Sequence, residues 1–142
     1  YDGNESNVAT YGRLYTWYAV TDNRGVCPAG WHIPTDAEWT TLTSFLGGES
    51  IAGGKMKESG TRHWKSPNIS ADNSSGFAGL PGGYRDDNGT FYNIGGFGYW
   101  WSSTENAGGE AWHRYLSYNY SYANRSYFDY KRVGFSARCL ED

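Results

Sequence analysis

The sequence holds a single methionine, two cysteines and four prolines, and no apolar run reaches the roughly 18 residues that mark a membrane-spanning helix. It is not expected to insert in a membrane. Clusters of Lys and Arg are also missing and the formal net charge is -3. That excludes nucleic acid or an anionic membrane as the main partner, because both require a concentrated basic patch. The N-terminus has neither the charged nor the apolar region of a signal peptide. The opening Tyr1-Asp2-Gly3 is therefore expected to belong to a mature fragment, with room for a secretion signal or lipid anchor upstream. Cys27 and Cys139 stand near opposite ends and show no C-x-x-C spacing, so a structural metal site is not expected. The expectation is one disulfide closing the domain, against the alternative of two free thiols in a reduced compartment.

What is present is aromatic and glycine-rich: seven Trp, thirteen Tyr, six Phe and 20 Gly in 142 residues. That length fits one domain, 1–142, with a real core, and the glycines imply many turns and long loops. The tyrosines concentrate. Between Trp112 and Tyr130, nineteen residues hold six of them, interleaved with Ser, Asn, His and Asp. Tyr gives large rigid contact area at low rotamer cost, and Ser and Asn give adaptable hydrogen bonds, the mixture of evolved binding surfaces. In Leu116-Ser117-Tyr118-Asn119-Tyr120-Ser121-Tyr122 bulky and small residues alternate, the period of a strand with Leu116, Tyr118, Tyr120 and Tyr122 on one face. Three phenols make a poor core, since each buried hydroxyl needs a partner. If those tyrosines point inward instead, Ser117, Asn119 and Ser121 are the exposed set.

Local signals order the rest. Tyr11 to Val20 is apolar enough for a strand or a short helix, and its period decides neither. Pro28, Gly30 and Pro34 favour extended chain. Thr35-Asp36-Ala37-Glu38 then has capping-box spacing, opening a helix that places Trp39, Leu42, Phe45 and Leu46 toward the core. Gly47-Gly48 ends it. Ile51 to Glu58 is a candidate second element, and an irregular connection is expected up to Ser75. Tyr84 to Tyr92 reads as a hairpin around Asn88-Gly89 in a primed turn. Strands are expected at Tyr99–Thr104, Ala111–Tyr122 and Val133–Leu140, the last bringing Cys139 near Cys27, with an aromatic core around Trp17, Trp31, Trp101 and Phe135.

The ordered motifs YGRLYTWYAV, CPAGWHIPTDAEW, GFAGLPGGYRDDNGTF, GYWWSSTE and VGFSARC resemble the Fibrobacter succinogenes major paralogous domain family, common in surface proteins of Bacteroidota. The family looks related to the formylglycine-generating-enzyme branch of the C-type lectin-like fold, through Ile33-Pro34-Thr35-Asp36-Ala37-Glu38-Trp39 and Gly134-Phe135, although Ser136 stands where that branch has Arg. The resemblance implies an α+β domain with a small twisted antiparallel sheet, one or two helices and long loops. The same branch includes the variable proteins of diversity-generating retroelements, whose C-terminal segments are rewritten at adenines. Trp112 to Tyr130 looks like such a segment.

Catalysis is not expected. The cysteine pair of the oxidase relatives has no counterpart here, no Gly-x-Ser-x-Gly elbow occurs, and His32, His63 and His113 lack zinc-helix spacing. His113 is read as a surface contact and His32 as a partly buried neighbour of Trp31. Asp86-Asp87-Asn88-Gly89 lacks the rest of a calcium loop. No cofactor is expected. The reading is a displayed or secreted domain, part of a larger surface protein or phage particle, that binds a protein or glycan. The candidate contacts are Trp112, His113, Tyr115, Ser117, Tyr118, Asn119, Tyr120, Ser121, Tyr122, Asn124, Tyr127, Asp129 and Tyr130. Calcium-independent carbohydrate binding and a structural or assembly role are the alternatives.

Overall fold

The computed structural model describes residues 3–127 and 131–142. Among them the order is α1 (Glu5–Tyr11), α2 (Trp17–Val20), β1 (Trp31–His32), α3 (Asp36–Phe45), α4 (Glu49–Met56), β2 (Tyr84–Arg85), β3 (Phe91–Tyr92), β4 (Phe97–Glu105), β5 (Ala111–Ser117), β6 (Asn124–Ser126) and β7 (Leu140–Glu141). This is an α+β domain, with four α-helices among the described residues where one or two were expected and three small antiparallel sheets in place of one. The region left open between helix and strand resolves into helix at both ends, with Asn4 capping α1 through the Ser6 amide.

The central sheet runs β4-β5-β6, and β1–β7 and β2–β3 form separate two-stranded pairs. Residues alternate across a strand, so successive tryptophans in β4 serve two different cores. Trp100 and Leu116 meet Trp39, Met56 and Trp64 beneath α3 and α4, while Trp101 and Ala111 meet Phe135, Val20 and Ile33 on the other face. The buried indoles are satisfied, as burial requires: Trp101 donates to Tyr15 O at 2.8 Å, Trp64 to Gly79 O at 3.0 Å and Trp39 to Trp101 O at 3.3 Å. Cys27 and Cys139 form a disulfide, with Cα atoms 5.8 Å apart.

Helix α3 opens with the full capping box: Glu38 N donates to Thr35 Oγ1 and Thr35 N donates to Glu38 Oε2. Trp39 and Leu46 are buried, but Phe45 is 85% exposed, because at 100° per residue it lies about 120° away from the Trp39 direction. Trp31, expected in the core, is 43% exposed on the short β1–β7 pair, whereas Trp101 and Phe135 are fully buried. The hairpin at Asn88-Gly89 is present, in a different turn from the primed one expected. Of the pair only Gly89 has positive φ, 93°, and Gly89 N donates to Asp86 O while Asp86 N donates to Thr90 O, the pattern of a type I turn closed by a glycine bulge.

The strand expected over Val133–Leu140 is mostly absent. Gly134, Phe135 and Ser136 each make one isolated bridge, to Arg85, Tyr15 and Trp100, so this stretch threads between elements instead of extending one ladder. The strand expected to run to Tyr122 stops at Ser117. Tyr118 N still donates to Gly96 O, but the chain then turns at Tyr118-Asn119, and asparagine suits such a turn.

Candidate functional site

Beyond Ser117 the chain forms a loop, Tyr118 to Ala123, lying on α4. The helix carries Gly53 and Gly54 on that side. A Cβ at Gly53 would stand 2.1 Å from Tyr122 O, and one at Gly54 2.5 Å from Ser70 O, so only glycine lets these backbones approach so closely. The contacts are main-chain: Gly54 N donates to Ser121 O at 3.0 Å, Ala123 N to Glu49 O at 2.8 Å and Ile69 N to Tyr118 O at 2.8 Å. Ser121 adds a hydroxyl bond to Ser50 O at 2.7 Å.

Under the loop lies Lys57, fully buried at the C-terminal end of α4. Its Nζ donates to Ser117 O at 2.9 Å, Tyr120 O at 2.7 Å and Ile69 O at 2.8 Å. An ammonium has three N–H donors and all three are used. Burial pushes its pKa down to about 8, which leaves it charged at neutral pH. The lysine therefore fixes both ends of the Ser117–Tyr120 turn through carbonyl oxygens, which every residue type supplies.

The side chains above this platform point elsewhere. Tyr120 is 48% and Tyr122 47% exposed, with ring centroids 6.2 Å apart and planes inclined at 57°. Tyr118 is half-buried against the core beneath α4, and Leu116, which alternation placed on the same face, is fully buried. The four bulky residues thus do not share a face, since the alternating pattern outlasts the strand. Ser117, also buried, donates its hydroxyl to Asn119 Oδ1.

The other expected contacts fall into different groups. His113 is buried at 1% exposure, not at the surface, because the inward face of β5 sets it against Trp101 and Phe135. Burial pushes its pKa down to about 4. Tyr115 is half-buried beside Tyr99 and Phe97, with centroids at 5.7 and 6.3 Å. Trp112 packs edge-on to Tyr127 at 4.7 Å and has the Arg125 guanidinium over its ring at 3.4 Å. Asn124 pairs with Tyr115 across β5–β6. Asp129 and Tyr130 lie outside the described residues. Among the described residues, no ring contact joins the Trp112–Tyr127, Tyr115 and Tyr120–Tyr122 groups.

A charged cluster ties this sheet to α3. Buried Arg114 donates to Asp36 Oδ1 at 2.7 Å, and Arg125 donates to Asp36 Oδ1 at 3.0 Å and Oδ2 at 2.8 Å. Burial of the Asp36 carboxyl is outweighed by the two arginines, which hold its pKa below the usual value. Sequence reading missed Lys57, Gly53-Gly54 and Arg114. The glycine pair was the available signal, because two glycines inside a helix cost about 1 kcal/mol each and need a packing reason.

The five ordered motifs therefore sit on one connected scaffold, from the Tyr15–Phe135 bridge to the Thr35 cap. The chain belongs to the Fibrobacter succinogenes major domain family. The family model matches residues 1–141, so scaffold and loop both lie within the Fibrobacter succinogenes major domain. No curated protein and no solved structure matches the chain. No group of three His, Cys, Asp or Glu that could hold a metal ion occurs among the described residues, and no helix there is long and apolar enough to cross a membrane.

Proposed function

We propose that this domain is a recognition module that binds a protein or glycan ligand through the Tyr118–Tyr122 loop, with Tyr120 and Tyr122 as aromatic anchors and Asn119 as a polar contact. The observation that carries this reading is the mode of attachment. The loop is held chiefly by carbonyls and amides, so its outward side chains can change while its backbone stays in place. That property suits a surface diversified by a retroelement on a C-type lectin-like scaffold, and both belong to the proposal. The disulfide and the lack of a long apolar helix among the described residues are compatible with an extracellular location, at a cell surface or on a phage particle.

Inclined aromatic pairs with an adjacent amide also suit calcium-independent stacking on sugar rings, so glycans are one target class. The test compares wild type with Tyr120→Ala/Tyr122→Ala on arrays of glycans and surface proteins of co-resident bacteria. The expected outcome is binding by wild type, lost in the variant, while stability changes by less than about 0.5 kcal/mol per site. Ligands retained by the variant would place recognition elsewhere. A stable oligomer burying Tyr120 and Tyr122 would instead mark a structural or assembly module.

A further inference from the structure

A concave site lies beside α3. It is a groove of about 410 Å³ between α3, the Ser75–Phe77 loop and the C-terminal chain, within the usual range for small-molecule sites. Its floor is Trp39 and Leu42, its rim Trp31 and Leu140, and Phe77 closes one side. Rim and floor are held by separate constraints. The Cys27–Cys139 disulfide and the Trp31↔Glu141 and His32↔Leu140 pairing fix the rim, and Phe77 packs edge-on to Trp39 at 5.8 Å. The site is preformed, which lowers the ordering cost of binding.

Two charged side chains line this groove, and they are not equivalent. Glu38 is committed: its carboxylate accepts from Thr35 N at 2.7 Å, Thr35 Oγ1 at 2.8 Å and His32 Nε2 at 3.1 Å. Arg138 is not. Its guanidinium lies over the Phe77 ring at 4.3 Å and donates to Phe77 O, and among the described residues no carboxylate is within ion-pair distance of it. Arg138 is exposed to solvent, so its remaining N–H donors are open to a ligand. A guanidinium presents a planar fork of donors that matches a carboxylate, and the surrounding Trp31 and Leu140 surfaces suit a flat apolar body.

We infer that this groove binds a small aromatic carboxylate, its ring against Trp31 and Leu140 and its carboxylate on Arg138. The ring and carboxylate could belong to a free acid or to the C-terminal residue of a peptide. The site is separate from the Tyr118–Tyr122 loop and stands or falls independently of it.

The test follows the indole N–H signals of ¹⁵N-tryptophan-labelled protein while titrating N-acetyl-L-tryptophan, its amide, and the peptide Gly-Ser-Gly-Trp with a free C-terminus. The expected result is a saturable shift at Trp31, with the amide weaker by at least about tenfold because it lacks the charge-assisted pair. A tighter peptide assigns the chain terminus, and an equal or weaker one assigns the free acid. Arg138→Gln should weaken the acid to the level of the amide, and Trp31→Ala, read at the Trp39 indole that also lines the groove, should abolish the saturable response. No shift up to about 5 mM, or equal binding of acid and amide, overturns the inference. If Arg138→Gln fails to fold, the acid–amide comparison in wild type still decides.

Discussion

Replacing Lys57 by Met removes the three-fold clamp beneath the loop while keeping a long side chain in the space. The carbonyls of Ile69, Ser117 and Tyr120 then lose their donor. Bonds to a charged donor contribute about 1.5–3 kcal/mol each, but the dehydration of the ammonium offsets a large part of three such bonds. A buried acceptor left without a donor costs about 1–3 kcal/mol, so for three carbonyls, less the ammonium dehydration, the expected deficit at pH 7 is about 3–5 kcal/mol. Urea unfolding measures it, and amide exchange locates it, with protection falling first at Gly54, Ile69 and Ala123, whose amides tie the loop down. The pH dependence has a definite sign. Burial puts the folded pKa near 8, below the ordinary value of 10.5, so between those values the unfolded chain binds more protons and stability rises with pH. Three carbonyl acceptors work against burial, so the wild-type gain over Lys57→Met is at most on the order of 3 kcal/mol. A deficit below about 1 kcal/mol with unchanged exchange would refute the clamp, and a deficit that shrinks from pH 8 to 10.5 would refute the depressed pKa.

Gly53→Ala should destabilise by about 2 kcal/mol and shift the loop signals, since overpacking against the Tyr122 carbonyl at 2.1 Å outweighs the ~1 kcal/mol that alanine adds to a helix; a stabilised variant would show that the loop is not seated on α4. Replacing both Cys27 and Cys139 by Ala opens a loop of sequence separation 112 and should cost about 4–5 kcal/mol by chain entropy, read as a urea midpoint shift. His32 Nδ1 lies 2.7 Å from Asp142 Oδ1 and Nε2 3.1 Å from Glu38 Oε1, and these partners, Asp142 first, raise its pKa. The resulting stabilisation is complete below about pH 6.5 and is lost as pH rises through the folded pKa. Melting curves should therefore separate wild type from His32→Gln more at pH 5.5 than at pH 8.5, and the reverse order would exclude a protonated clamp.

Features legible in the sequence were those whose cause lies within a few residues. Thr35 and Glu38 cap α3 by bonds between neighbours, and Asn88-Gly89 turns the chain by local backbone preference. The disulfide was legible because only two cysteines exist to pair. Features with distant causes were not. Phe45 is apolar at a position the helix turns to solvent, and His113 is polar at a position β5 turns to the core. The alternation from Leu116 to Tyr122 obeys the strand period with no strand beyond Ser117, because Ser117, Tyr120 and Ile69 give their carbonyls to Lys57, which stands 60 residues before Ser117 in the chain.

The division within the tyrosine-rich segment has a consequence for how it can vary. His113, Arg114, Leu116, Ser117 and Ala123 are buried, and Arg114 is further committed to Asp36, so substitution there acts on the fold. Tyr120 and Tyr122 are exposed, and their links to the scaffold run through backbone atoms, so substitution there acts on the surface. A process that rewrote the whole stretch evenly would lose most variants to unfolding, because a buried polar or cavity-forming change costs several kcal/mol in a domain stable by about 5–15 kcal/mol. Variation compatible with this scaffold must therefore concentrate on Tyr120 and Tyr122 and spare His113, Ser117 and the Asn119 side chain that accepts the Ser117 hydroxyl. Population sequencing that found His113 and Ser117 as variable as Tyr120 in folded, secreted protein would contradict the separation of scaffold from surface on which the recognition reading rests.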